Sequence, residues 1–325
     1  MKKIFAFAII CLLSIPINVY AQKYIDNDGK IKIALVKNPY KGDRSGSPIS
    51  KGPDILEHSG LKDILSGMGG IIVNISNVQL SKEEEKEYGV WNKFGYANNR
   101  LGQWVAKNER DGNFNVGLLN NCSSLMGMLA GLQHSGTSKR PLRIGLVFID
   151  AHGDFNTPET TLSGMLGGMP VAIAAGHCLT RMRLQSGLDP AIPEKYIVMG
   201  ALRDTDPLEQ ERFDNSLIEM ISTDDIRNLT DNIHHQMQRL SGLTDKIYIH
   251  IDMDVLDPKE VMGHPLTVPN GPTSKELAAA LELMFKYEKT SAIGIASYPI
   301  DDKDQLSLKA AYNLIAGAVR GIKGR

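Results

Sequence analysis

Residues 144–170 read IGLVFIDAHGDFNTPETTLSGMLGGMP, and this stretch decides the fold. An apolar run, Ile144 to Ile149, leads directly into Asp150, His152 and Asp154 at alternate positions. The run belongs to a strand expected over Leu142 to Ile149, with the polar residues as its exit. In an extended segment, alternation by two points all three side chains the same way. Two carboxylates and an imidazole leaving one strand end suit a hard divalent cation.

The same alternation of apolar runs with helical segments continues outward. Further strands are expected at Ile31 to Val36, Ile71 to Val78, Val116 to Leu119, Tyr196 to Met199, Leu217 to Ser222, Lys246 to Ile251 and Ala292 to Ala296. Between them, helical spacing is expected at Asp54 to Gly67, across Lys82 to Arg110 as one helix leading into another, and at Met165 to Cys178, Asp231 to Arg239, Thr273 to Tyr287 and Leu306 to Ile322. A further helix, Leu125 to Leu132, carries Gly127 and Gly131 four apart and should pack closely on a neighbouring backbone. The Gly-, Pro- and Ser-rich stretch from Lys37 to Gly52, with Arg44, reads as a loop. Strands separated by helices argue for an α/β class, a parallel sheet covered on both faces. No repeat or low-complexity linker divides it, so residues 22–325 are read as a single three-layer α/β/α domain. In such sheets ligands sit beyond the carboxyl ends of the strands.

Composition narrows the function. The 325 residues carry a formal net charge of −1, leaving no basic footprint for a nucleic-acid partner. Met1-Lys2-Lys3, an apolar run from Ile4 to Ile15, and Val19-Tyr20-Ala21 have the layout of a signal peptide over residues 1–21, cleaved after Ala21. That apolar run is short for a span, and no later segment is expected to cross a membrane. An exported protein, periplasmic or secreted and free of the membrane after cleavage, is the expectation. Cleavage leaves Cys122 and Cys178, too few for a disulfide-stapled scaffold.

A second acidic run follows the strand at Lys246 to Ile251, with Asp252 and Asp254 opening the sequence DMDVLDP. Together with Asp150, His152 and Asp154 it gives four carboxylates and one imidazole, suited to two hard cations sharing a bridging carboxylate. Two such ions, roughly 3.5–4 Å apart, lower the pKa of a water held between them.

At these residues the chain resembles the ureohydrolase family of arginases, agmatinases and formimidoylglutamases. The family's D-A-H-x-D run stands at Asp150 to Asp154 and its D-x-D-x-x-D-P run at Asp252 to Pro258. Asn156-Thr157-Pro158, Ser163-Gly164 and the run Gly200 to Pro207 are similar to arginases in particular. The resemblance implies an arginase-like fold, a binuclear manganese site, a small guanidino-type substrate and a homo-oligomer. By position, Asp150 and Asp252 would bridge the ions, His152 and Asp254 would complete one site, and Asp154 would belong to the other. Asp154 would also bond the bridging hydroxide and pass its proton to the leaving amine. Asn156 and Ser163 match positions that hold a substrate α-carboxylate, and Asp206 one that receives an α-amino group.

Three residues depart from the family pattern. Cys122 takes the position of the remaining histidine ligand; as a metal ligand its softer sulfur would bias that site toward zinc, iron or cobalt. Gly167 stands where the family carries its acid/base histidine, a group worth about 10²–10⁴-fold in rate. Ser297 falls near the glutamate that binds the guanidinium. A substrate with an easier leaving group would need that acid/base histidine less, and the resemblance to relatives with Cys for His and a similar GMLGG run, which act on N-hydroxyguanidino substrates, makes such an amino acid one candidate. The alternative is a catalytically weakened ureohydrolase-fold protein that binds a metal or ligand. His177 and His250 read as structural histidines, and His264 as the replacement acid/base candidate at the rim.

Overall fold

Eight parallel strands form one sheet in the computed structural model, which describes residues 23–40, 51–299, 302 and 305–325. The expected signal peptide and Arg44 lie outside the described residues. The strands are β1 Ile31–Asn38, β2 Gly70–Asn77, β3 Phe114–Leu119, β4 Ile144–Ile149, β5 Ile197–Gly200, β6 Glu219–Ile221, β7 Lys246–Asp252 and β8 Thr290–Ala296. The helices are α1 Gly52–His58, α2 Leu61–Gly67, α3 Lys82–Lys86, α4 Val90–Arg110, α5 Leu125–Gln133, α6 Pro170–Ala175, α7 Thr180–Gln185, α8 Pro207–Asp214, α9 Thr223–Asn228, α10 Asp231–Leu243, α11 Ser274–Phe285 and α12 Leu306–Lys323.

Strand order is β2-β1-β3-β8-β7-β4-β5-β6. The central strands β3, β4 and β8 are buried along their whole length, as expected when helices cover both faces. Two apolar cores result. One gathers Leu56, Leu65, Leu240, Leu281 and Leu314 on one face, and the other gathers Leu101, Leu129, Ile173 and Met182 on the opposite face. α5 meets α4 as its glycines predict. A Cβ at Gly127 would stand 2.7 Å from the Asn98 carbonyl, and one at Gly131 2.5 Å from Val105 Cβ.

Several expected elements differ in detail. The helix read at 54–67 is two, because Gly60 (φ +105°) turns the chain between α1 and α2. The helix read at 165–178 is a 3₁₀ turn, Leu166–Gly168, followed by α6. Pro170 has no N–H to donate and so opens a new helix. The short helices α7, α8 and α9 were not expected from the apolar spacing. Among the described residues no helix is long and apolar enough to cross a membrane.

Candidate metal centre

Strands β3, β8, β7 and β4 are neighbours in the middle of the sheet, and each delivers a site residue at its carboxyl end. Cys122 follows β3, Ser297 follows β8, Asp252 ends β7, and Asp150 follows β4. Parallel strands lie about 4.8 Å apart, so these four exits bring residues far apart in sequence within reach of one another.

Both acidic motifs share one local device. Asp150 Oδ1 accepts the backbone N–H of His152 at 2.8 Å, and Asp252 Oδ1 accepts that of Asp254 at 3.0 Å. An aspartate bonding the backbone two residues on fixes its own carboxylate and turns the chain. The spacing of two therefore orients the first carboxylate and presents the second side chain in one step.

Three groups of donor atoms each lie within 4.8 Å of one another: Cys122, Asp150 and Asp252; Asp150, His152 and Asp254; and Asp252, Asp254 and His264. Cys122 Sγ donates to Asp252 Oδ2 at 2.8 Å and lies 3.8 Å from Asp150 Oδ2. His152 Nδ1 is 3.4 Å from Asp150 Oδ1 and 3.3 Å from Asp254 Oδ2. Ser297 Oγ donates to Asp252 Oδ2 at 2.5 Å.

Burial and crowding set the electrostatics. Asp150, Asp154, Asp252 and Asp254 are all buried. Burial, and then the charges of Asp150 and Asp252, push the Asp154 carboxyl well above the usual range. Burial and the same two aspartates, Asp252 first, do so for Asp254. Burial and the charges of Asp252, Asp154 and Asp150 likewise raise the Cys122 thiol. Burial would lower His152, but the carboxylates of Asp150 and Asp254 outweigh it and hold the imidazolium up to about 11. Four carboxylates packed this way need positive charge, and among the described residues Asp254 Oδ1 is buried with no hydrogen-bond partner. The donor set fits divalent cations, which would replace the bound protons.

Asp154 reaches the cluster differently from the expectation of strand alternation. Its backbone is left-handed (φ 47°), and its carbonyl accepts the N–H of Val171 at 2.9 Å at the start of α6. Its carboxyl is coupled by charge to the other aspartates, yet it falls outside the three close donor groups.

The expected substrate residues Asn156 and Asp206 are joined by a hydrogen bond, with Ser163 in the adjoining loop. Asn156 Nδ2 donates to Asp206 Oδ2 at 3.1 Å, and the Leu162 N–H reaches the same oxygen at 3.3 Å. Ser163 is exposed in the loop beside them, its Oγ accepting from the Met165 N–H at 3.2 Å. Gly167 has open space where a side chain would begin. Asp206 is also the N-cap of α8, in a capping box with Glu209. The buried Glu209 accepts the Phe155 N–H at 2.7 Å on Oε1 and the Asp206 N–H at 3.3 Å on Oε2. Glu209 thus ties the exit of the Asp150-to-Asp154 run to Asp206, a role the sequence reading missed. Its signal was present, since Asp-Pro-x-Glu is a helix-start pattern.

Of the histidines read as structural, His177 is paired, while His250 is paired at one nitrogen only and its buried Nε2 has no partner among the described residues. His250 Nδ1 pairs with the Tyr248 hydroxyl at 2.8 Å, its ring stacks on Phe148 at 5.1 Å, and burial pushes its pKa down to about 4. His177 Nε2 pairs with Glu194 Oε1 at 3.0 Å. Cys122 and Cys178 are both free thiols.

A parallel three-layer sheet with a carboxylate-rich, cation-ready cluster beyond its central strands defines the class as a metal-dependent α/β enzyme fold. The arginase family model matches residues 123–319. The chain is 28% identical over 290 residues to Bacillus subtilis arginase, covering 87% of this chain and 96% of that one. It is 26% identical to the arginase of Entamoeba histolytica, covering 90% and 98%. A crystal structure of Bacillus subtilis arginase superposes with a TM-score of 0.76 at 25% identity, covering 89% of this chain and 98% of that one. Bacillus subtilis formimidoylglutamase shares the fold, with a TM-score of 0.69 at 18% identity over 90% of this chain and 87% of that one. The chain belongs to the arginase family, the ureohydrolases.

Proposed function

We propose that the protein hydrolyses a carbon–nitrogen bond of a linear amidine, on an amino acid with a guanidino or N-hydroxyguanidino tail. The observation that carries this reading is the convergence of Asp150, His152, Asp252 and Asp254 at the carboxyl ends of β4 and β7, one buried Asp254 oxygen lacking any partner among the described residues. Asp150 and Asp252 would bridge two divalent ions, with His152 and Asp254 completing one site and Asp154 and Cys122 the other. When bound, such ions supply a water of lowered pKa as the nucleophile.

This chain's residues do the rest. Asp154 takes the proton of the attacking water and hands it to the leaving nitrogen. Asp206 receives the substrate α-amino group, while Asn156 and Ser163 hold its α-carboxylate. Gly167 offers no proton-transfer group, and Ser297 bonds Asp252 without offering a carboxylate to a guanidinium. The absent carboxylate favours a less basic guanidino group, such as an N-hydroxyguanidino tail whose oxygen withdraws electron density, over the fully cationic guanidinium of arginine. The thiol of Cys122 favours zinc, iron or cobalt over manganese in its site.

The test is a panel of arginine, its N-hydroxyguanidino analogue and agmatine, with metal content measured on the same preparation. Release of urea or hydroxyurea, greatest for the N-hydroxy compound and abolished by Asp154→Asn, is the expected result. A chain that binds the amino acid but releases nothing after metal is restored would instead be a ligand-binding relative. We also propose export, supported by the basic and apolar pattern of residues 1–21. A mature N-terminus at Gln22 outside the cytoplasm is the expected finding, and an intact Met1 would overturn it.

A further inference from the structure

His264 lies in the loop between β7 and α11, outside both acidic motifs. Its Nδ1 is 4.0 Å from Asp254 Oδ2, the oxygen that His152 Nδ1 approaches to 3.3 Å. Donor atoms bound 2.0–2.2 Å from one ion lie about 3–4 Å apart, so both separations suit ligands around a common centre. The other oxygen of Asp254 is buried and has no partner among the described residues, and the His264 side chain is itself only 7% exposed.

The loop is held at that place. Arg203 donates from Nε to the Pro269 carbonyl and from Nη2 to that of Val268, each at 2.9 Å. Arg227 Nη2 donates to the carbonyls of Asn270 and Gly271, also at 2.9 Å each. Two guanidinium groups thus pin the segment that carries the imidazole. Nδ1 accepts the Leu266 N–H at a long 3.3 Å, and the ring also bonds the backbone of Ser297.

We propose that His264 is a ligand of the ion held by His152 and Asp254. The imidazole lost at Cys122 then returns on the neighbouring ion, giving one site with a sulfur donor and one with two imidazoles. The proposal rests on the binuclear reading of the centre.

Cobalt(II) is the probe, titrated into the metal-stripped full chain and followed by calorimetry and paramagnetic proton NMR. Each ligated histidine contributes one hyperfine-shifted, exchangeable imidazole N–H signal. The expected result is two such signals for the unaltered chain and one for His264→Asn. Affinity at one site should fall tenfold or more, the scale on which even supporting contacts act, with the other site unchanged. His264→Asp should recover part of the affinity without the second signal. Equal melting temperatures of the metal-free forms show that the fold is intact; if His264→Asn fails to fold, the His264→Asp signal count decides alone. One N–H signal in the unaltered chain, or identical isotherms in the variants, would overturn the proposal while leaving the metal centre standing. Retained cobalt binding with loss of one limb of the pH–rate profile would overturn it in favour of a proton-transfer role. An unaltered chain that binds no cobalt would refute the binuclear reading itself.

Discussion

Consider the metal-stripped chain as pH rises from 7 to 10. His152 holds its proton up to about 11, because Asp150 and Asp254 outweigh the burial that would expel it. An unfolded histidine releases its proton near 6.5. The folded chain therefore binds a proton that the unfolded chain lacks, and this contribution to stability is full below about pH 6.5 and lost as pH rises through about 11. The limiting slope is ~1.4 kcal/mol per pH unit. The ring is 27% exposed, so solvent screening should pull the folded value down and confine that slope to roughly half of the interval from pH 7 to 10. From pH 7 to 10 the loss is then about 2 kcal/mol. Urea unfolding followed by circular dichroism at each pH measures it, and His152→Ala supplies the reference in which titrating groups outside the cluster cancel. The stability difference between the two proteins should shrink by about 2 kcal/mol across that range. A difference that stays constant would refute the account of the cluster as a proton-filled, cation-seeking site. Metal loading at pH 8 should likewise release protons, because a ligating imidazole must be neutral; calorimetry in buffers of different ionisation enthalpy would detect this.

Three further outcomes follow from the geometry. Cys122→His should raise manganese content relative to zinc in a competition dialysis; an unchanged ratio would count against Cys122 as a ligand. Glu209→Ala leaves the Phe155 N–H buried and unpaired, at a cost of about 1–3 kcal/mol, and loosens Asp206 from Asn156. It should raise KM more than it lowers kcat, and a fall in kcat at constant KM would contradict the positioning role. Gly131→Val places a side chain against Val105 and the Gly102 carbonyl, so α5 must part from α4. A loss of about 3 kcal/mol is expected in chemical denaturation, and an unchanged midpoint would refute that packing.

Much of the frame was legible because apolar runs and helical spacing report burial directly, residue by residue. The strands from Ile31 to Ala296, the paired helices α3 and α4, and the close approach of α5 all appear where local pattern put them. Short helices escaped, since α8 and α9 begin with capping boxes, at Asp206 and Ser222, and lack a long apolar stripe. Gly60 and Pro170 broke elements that hydrophobic spacing alone had joined.

The site divides along the same line. Asp150, His152, Asp252 and Asp254 declared themselves in sequence, because each pair at a spacing of two is oriented by its own backbone hydrogen bond. Asp154 did not follow from alternation, since its left-handed backbone depends on the junction with α6. Ser297 against Asp252, His264 against Asp254, and Cys122 against Asp150 and Asp252 are contacts made across the sheet. Such contacts exist only because the strand order sets β3, β8, β7 and β4 side by side. That order is decided by the packing of helices over the whole sheet, which no local stretch of sequence encodes.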